Sequence, residues 1–452
     1  MIKFWNTLTH SIDEFKPLTD EKVKLYTCGP TVYAPAHIGN LRKYLCDDLL
    51  YRTLVSAGYK VTRVMNMTDI DDKTIFAAKG DMGEFKALTR KYEILFLENL
   101  SELNIIKPEI ITRATEYVSK IVKFIEILME KGYAYKSDDG SVYFSIVKFA
   151  NYGKLSGLNL DELKVGVRVN LDEYDKENPA DFALWKAWSD DDGEIFWQTS
   201  LGKGRPGWHI ECSVMATDTL GQTIDIHTGG VDNIFPHHEN EIAQSEAESG
   251  QKFVNFWLHY EHLLVDGKKM AKSANNFYVL DDLKEKGFSG LDFRYFCLGA
   301  HYRTKINFTW EGLEGARNAR MRLKRIIKDL ELAENGKVNG RYSDQFNLKI
   351  SSDLDSPGAL AILWELVRDN KISSVDKLAT IRQFDEVLGL DLLNNQAKIE
   401  LNIEQQKLID DREKARQAGN WAKADEIRAT LAKMHIQVED TADSTKVTSS
   451  GI

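Results

Sequence analysis

Apolar and β-branched residues gather over positions 23–28, the chain turns at Gly29 and Pro30, and over 37–58 apolar positions recur at helical spacing. Positions 60–65 read as a second strand. Strand, helix and strand in that order predict a right-handed parallel crossover, the unit of nucleotide-binding α/β sheets. Helical patterns follow over 85–103 and 114–132, and 133–145 alternates as a hairpin turning at Asp138-Asp139-Gly140. Sheet-like pieces return at 223–227 and 253–265 around a helical pattern over 238–248, so the α/β fold is expected to be split by an insertion and then resumed. Beyond about residue 312 the pattern is helical through 316–333, 356–369 and 375–388, which predicts a separate helical domain. A final unit over 403–439 reads as two short helices broken near Gly419-Asn420 and one strand, before a polar tail, 440–452, expected to be flexible.

The chain has 452 residues, 43% of them hydrophobic and 28% charged, which fits a soluble protein of several domains. No apolar run approaches the length of a membrane span, and the first 17 residues, with Lys3, Asp13, Glu14 and Lys16, lack the apolar stretch of a secretory signal. A cytoplasmic location is the expectation. The cysteines at 28, 46, 212 and 297 are too few and too scattered for a disulfide framework, leaving reduced thiols or metal ligands. A net charge of −10 argues against indiscriminate nucleic-acid binding. Any RNA contact must be local, and Arg317-Asn-Ala-Arg-Met-Arg-Leu-Lys-Arg-Ile-Ile-Lys328 is a basic helical stripe that either follows a phosphate backbone or simply faces solvent.

Chemistry concentrates in two distant segments. Pro30-Thr-Val-Tyr-Ala-Pro-Ala-His-Ile-Gly-Asn40 lies between the first strand and its helix, where free backbone N–H groups bind phosphate. His37 can add a donor, and Gly39 lets a purine approach the backbone. Lys268-Lys-Met-Ala-Lys-Ser-Ala-Asn-Asn276 carries Lys269 and Lys272, which can neutralise a departing pyrophosphate. Each segment alone also reads as ordinary surface. Elsewhere His237 and Glu241 are four apart on a helical pattern, Cys28 ends the first strand, and Cys212 lies on another helix. Two sulfurs, an imidazole and a carboxylate are ordinary zinc ligands, although two buried thiols and a surface ion pair would explain the same residues.

Read together, His37-Ile-Gly-Asn40 and Lys269-Met-Ala-Lys-Ser273 resemble the HIGH and KMSKS signatures of class I aminoacyl-tRNA synthetases. Within that class, Tyr26-Thr-Cys-Gly-Pro-Thr-Val-Tyr33, Asn66-Met-Thr-Asp-Ile-Asp-Asp-Lys73, Gly207-Trp-His-Ile-Glu-Cys-Ser213, Phe235-Pro-His-His-Glu-Asn-Glu241, Ala300-His-Tyr-Arg303 and Trp421-Ala-Lys-Ala-Asp-Glu-Ile-Arg428 resemble cysteinyl-tRNA synthetases. The similarity extends over nearly the whole chain. Two positions depart from it: Asn40 stands for the last histidine of HIGH and Ala271 for the serine inside KMSKS. An asparagine amide still donates hydrogen bonds, so retained activity is expected.

The resemblance implies a Rossmann-like parallel-sheet catalytic domain over 1–311 with an insertion at about 110–205, a helical bundle over 312–395 touching the tRNA stem, and a small anticodon-binding unit over 396–452. It implies a two-step ligase for L-cysteine, ATP with Mg²⁺, and cysteine tRNA. One zinc per chain would be held by Cys28, Cys212, His237 and Glu241 and would select the substrate thiolate. A thiol of pKa about 8.5 needs a shift of only about 1.5 units to ionise at neutral pH, and a hard serine hydroxyl would be disfavoured. By the same resemblance His37, Asn40, Lys269 and Lys272 are catalytic, these four with Gly39, Gly230 and Asp232 hold ATP, and Gly29, Thr31, Thr68, Trp208 and His227 form the amino-acid pocket. Cys46 and Cys297 read as packing residues, and His238 as a helper outside the ligand set. A monomer is expected. Two other readings are a mycothiol-pathway cysteine ligase, disfavoured by the long segment after 312, and a silent tRNA-binding paralogue, disfavoured by the intact lysines and ligand set.

Overall fold

A computed structural model describes residues 1–158, 181–270, 276–330, 336–393, 403–434, 436–440 and 445–449. Lys272 and Ala271, the end of the helix expected to reach 333, the boundary at 395/396, residues 159–180 of the insertion, and residues 441–444 and 450–452 of the tail lie outside the described residues.

Five parallel strands form the central sheet: β1 (Lys22–Thr27), β2 (Lys60–Met67), β3 (Ile110–Arg113), β4 (Ile224–Gly230) and β5 (Val254–Tyr260), in the order β5-β4-β1-β2-β3. β1 to β3 step one way and β4 and β5 lie on the other side of β1, so the order reverses between β1 and β4. In open α/β sheets the crevice beyond the strand ends at such a switch is where ligands bind. β3 belongs to this sheet, so the insertion leaves it after Arg113, slightly later than the expected 110. The inserted chain contributes a helix, Val118–Glu130, and a five-stranded antiparallel sheet. It is fastened back on the short helix Asp72–Ala77 that follows β2 through Asp72, which pairs with Lys186 at 2.9 Å and with Arg205; Arg205 also reaches Asp192 at 3.0 Å.

Helix α1 (Ile38–Ser56) runs from the end of β1 back along the sheet. His37 caps its first turn, and Gly58, at φ +93°, takes the left-handed conformation that ends it. Leu49, Leu50 and Leu54 of α1 join Val23, Leu25, Val61, Ile226 and Leu258 on one sheet face. The same apolar cluster continues without a break into Leu323, Ile327, Phe346, Leu363, Ile381, Phe384 and Leu392 of the later helices, so these are not a separate body as the sequence suggested; their apolar faces are covered by the sheet layer. The opposite sheet face, Tyr26, Val64, His227 and Trp257, is covered by Val118–Glu130, α2 (Trp208–Leu220) and α3 (Glu239–Ser249).

Several elements carry no clear pattern in the sequence, among them the amino-terminal hairpin Lys3–Asn6 with Ser11–Glu14, the short helix Asp72–Ala77, the sheet strand Ile110–Arg113, the inserted strands Phe182–Ala187, Trp197–Thr199 and Gly202–Pro206, helix Gly340–Ile350, and strand Thr445–Ser449. The last pairs with Ile436–Asp440, so part of the polar tail is a hairpin. The terminal helices Ile403–Gln417 and Trp421–Lys433 enclose their own small core of Ile409, Ile427, Leu431 and Val438.

Candidate active site

A cavity opens at the switch point. Its volume of about 370 Å³ is bounded by Cys28, Gly29, Thr31, His37, Gly39, Asn40, Thr68, Trp208, Cys212, Gly230, Asp232, His237 and Lys269. All of the expected site residues that are described thus line one cavity, apart from Glu241 and His227, which stand behind its wall.

The strand ends hold the wall rigid. Val32 and Thr68 continue the β1–β2 ladder, with Val32 N–H donating to Thr68 O at 3.2 Å and Thr68 N–H to Pro30 O at 3.0 Å, which sets Thr31 beside Thr68. Gly29 N–H donates to Asn66 Oδ1 at 2.7 Å, and a Cβ on Gly29 would lie 1.5 Å from Asn66 O. Only glycine fits there. Where the helix begins, His37 Nδ1 accepts from Asn40 N–H at 3.2 Å, so its proton is on Nε2, available as a donor. Burial pushes its pKa down to about 4, so the ring is neutral at pH 7, with Phe277 packed edge-on at 5.1 Å between centroids. A Cβ on Gly39 would meet Met270 Cε at 2.4 Å, which shows how closely the two motif segments approach. Lys269 is exposed in a short strand paired with Leu263–Val265, and Asn276 Nδ2 ties back to Lys269 O at 3.1 Å.

At the inner end of the cavity, Cys28 Sγ, Cys212 Sγ, a His237 ring nitrogen and a Glu241 oxygen all lie within 4.8 Å of one another and are buried. His237 Nε2 is 3.0 Å from Glu241 Oε1, and His227 Nε2 is 2.9 Å from Glu241 Oε2. Burial opposes ionisation of Glu241, yet His227 and His237 hold its pKa at about 2. Contact with the Cys212 thiol likewise brings Cys28 down and Cys212 up. A buried set in which the Glu241 carboxylate and the Cys28 sulfur favour the anionic form is complementary to a divalent cation, and two thiols, one imidazole and one carboxylate make a full tetrahedral set for zinc. The residues fit the metal.

Three histidines around this set were not foreseen in these positions. His238, expected only as a helper, lies 3.4 Å from Cys28 Sγ; its Nδ1 is 2.7 Å from His259 Nε2, and His259 Nδ1 is 2.8 Å from Thr7 Oγ1. His238 belongs to an alternative buried quartet with Cys28, His227 and Glu241. Burial holds the pKa values of His238 and His259 far below the ordinary range. His209 Nδ1 is 2.9 Å from His237 Nδ1. Trp208, 40% exposed, stacks on His237 with centroids 4.2 Å apart and forms a flat lid edge over the metal set. His227 is packed on Trp257, 4.6 Å between centroids, so its part is to hold Glu241.

The basic stripe divides. Arg320 is buried and pairs with Asp292 at 2.9 Å, so it is a structural residue that no RNA can reach. Arg322 and Arg368 flank Trp364, at 6.0 and 4.9 Å from its ring, on the outer surface.

A parallel nucleotide-type sheet whose first helix start and lysine-bearing hairpin line one cavity is the arrangement of a class I aminoacyl-tRNA synthetase fold. Solved structures of similar shape agree: Mycobacterium tuberculosis methionyl-tRNA synthetase in complex with methionyl-adenylate superposes with a TM-score of 0.57 at 15% identity, over 82% of this chain and 91% of that one. A ternary complex of Agrobacterium radiobacter LeuRS, tRNA and LeuAMS gives 0.58 at 10%, over 85% and 87%. The family described as tRNA synthetases class I (C) catalytic domain matches residues 14–318, and the cysteinyl-tRNA ligase anticodon binding domain matches 400–447. Proteins named cysteine–tRNA ligase from Protochlamydia amoebophila and Chlamydia muridarum are 43% and 45% identical, covering 99% and 98% of this chain and 97% and 98% of their own lengths. The chain belongs to the cysteine–tRNA ligase family.

Proposed function

We propose that this protein activates L-cysteine with ATP and transfers it to the terminal adenosine of cysteine tRNA. The observation that carries the reading is the meeting, in one cavity at the sheet's switch point, of a thiolate-type metal set with the phosphate-binding start of α1. Zinc is the metal this donor set favours; bound there, it supplies a soft Lewis acid that favours a thiolate over a hydroxyl.

The chain's own groups align the reaction. A carboxylate oxygen of cysteine forms a bond to the α-phosphorus of ATP while the bond from that phosphorus to the bridging oxygen breaks, and the electron pair leaves with pyrophosphate. No protein nucleophile is required. The neutral His37 donates from Nε2 to phosphate oxygens, and Asn40, on the exposed first turn, adds its amide. Lys269 provides positive charge from the hairpin, and Lys272 is proposed, by family resemblance, to do the same. Gly39, Gly230 and Asp232 would receive the nucleoside, and Gly29, Thr31, Thr68 and Trp208 the amino acid. The helices after 312 would meet the tRNA stem and the unit after about 396 its anticodon; no helix among the described residues is long and apolar enough to cross a membrane. A cytoplasmic monomer is proposed.

Cysteine-dependent ATP–pyrophosphate exchange together with metal analysis tests the reading. Expected are exchange with cysteine and one zinc per chain, and loss of both metal and exchange in Cys212→Ser. Full exchange by a metal-free preparation would exclude the metal's part in cysteine selection, and absence of exchange with cysteine would exclude the activity.

A further inference from the structure

α1 carries five charged residues, Arg42, Lys43, Asp47, Asp48 and Arg52, among leucines. Four of them are accounted for by partners within the fold. Arg42 donates to the backbone carbonyls of Glu261, His262, His301 and Thr304. Asp48 pairs with Arg294 and Arg52 at 2.6 and 2.7 Å. Asp47 accepts from Thr228 Oγ1 at 2.6 Å and pairs with Lys43 at 2.7 Å. Lys43 is different, because it also lines the cavity.

Its side chain is 13% exposed, and its ammonium donates to the backbone carbonyl of Cys28 and pairs with Asp47. An ammonium has three N–H groups in a tetrahedral fan. Two are used within the protein, and no hydrogen-bond partner for the third occurs among the described residues. Thr228 of β4, Cys28 at the end of β1 and Lys43 of α1 meet where the sheet order reverses, and Lys43 lines the same cavity as Cys28, Cys212 and His237 of the metal set and as His37. That is the place where the amino-acid carboxylate must meet the α-phosphate if cysteine sulfur and ATP occupy the two ends. A buried lysine held by a carboxylate and a carbonyl is prepositioned, and its donor reaches the reacting anion without reorganisation.

Resting on the activity proposed above, we propose that Lys43 is a further catalytic residue, whose third N–H binds the anionic junction of carboxylate and α-phosphate during adenylate formation. The bond changes are those already given; Lys43 neither gains nor loses a proton in the step. It stabilises negative charge on the oxygens as the new bond to phosphorus forms.

The test compares the parent protein with Lys43→Gln, which keeps a donor for the Cys28 carbonyl, and Lys43→Met, which does not. Cysteine-dependent exchange by the parent is the control that separates failure of the activity from failure of this inference. With that control positive, single-turnover adenylate formation is expected to fall about 10²-fold in Lys43→Met and less in Lys43→Gln, with zinc content and circular dichroism unchanged. Equilibrium binding then identifies the contacted anion. Weakened binding of AMP with unchanged binding of cysteine assigns the phosphate, and the converse assigns the carboxylate. A parental rate of adenylate formation in both variants would overturn the proposal, as would a fall in rate that simply tracks loss of zinc, since Lys43 would then be only a buttress for Cys28.

Discussion

His37 shows how one side chain can both shape a backbone and line a cavity. By accepting from Asn40 N–H, Nδ1 caps α1 and commits the ring proton to Nε2. Its folded pKa of about 4 lies below the ordinary value, so the folded state binds fewer protons on this ring than the unfolded chain does. Stability from this residue is therefore complete above about pH 6.5 and declines as pH falls toward 4. Thermal melts of the parent and His37→Asn should show a smaller loss of Tm over that window in the variant, and equal slopes would contradict the neutral, buried ring. At this scale the sequence was legible where long strings of residues coincide with a family pattern, as around Cys28, Cys212 and His237. It was not legible where the decisive property is convergence from distant positions. Thr7, His238 and His259 meet only after the hairpin, α3 and β5 are packed, and no spacing announces that. Lys43 did carry a signal, a lysine and an aspartate at i and i+4 in a helix otherwise rich in leucine, but such a pair ordinarily faces solvent.

Among the elements, α1 does most to bind the layers together. Arg294 donates to Asp48 at 2.6 Å, to Leu388 O at 2.7 Å, and to Leu103 O and Asn104 O at 3.0 Å, so one buried guanidinium links α1, the helix Met82–Glu102 and the helix Ser374–Leu388. Burial opposes the charge on Asp48, but Arg294 and Arg52 keep its carboxyl below the usual range. Asp48→Asn removes one partner and leaves Arg294 as an uncompensated buried cation, a change that typically costs about 3–5 kcal/mol. Urea denaturation should read a loss of that size, and a loss under about 1 kcal/mol would show that the three carbonyls alone satisfy the guanidinium. The periods of four of the five sheet strands and of helices such as Ser356–Arg368 are strong in the sequence, whereas the short edge strand Ile110–Arg113 is not. Pattern reading missed Gly340–Ile350, whose buried positions are only Tyr342, Ser343, Phe346 and Ile350 amid polar residues and after a glycine. It missed Thr445–Ser449 because a short polar strand gains its order from its partner, Ile436–Asp440.

For the whole molecule, the parallel α/β plan with an insertion was legible because each crossover writes its own sequence signature, whereas the depth of contact between the sheet layer and the helices after 310 was not. Leu25 of β1 and Phe384 of the last bundle helix lie in one apolar cluster, and a linear pattern does not say which apolar face meets which. This decides where the chain can be cut. A protein ending at 393 keeps that cluster whole and should still activate cysteine, while its charging of cysteine tRNA should fall at least about tenfold because the unit that matches the anticodon binding domain is lost. A protein ending at 312 leaves the leucines of α1 uncovered and should melt without a cooperative transition. Pyrophosphate exchange, charging assays and circular dichroism on the two truncations distinguish these outcomes; a folded, active 1–312 fragment would refute the second. The continuous cluster also bears on descent. Recombination that replaced the helices after 310 with those of another synthetase would set Val23, Leu25, Leu49 and Leu50 against surfaces they had never been fitted to, whereas the unit beyond 400, closed around its own four apolar residues, can be exchanged as a cassette. The helices after 310 and the unit beyond 400 are accordingly bound to the rest of the chain to very different degrees.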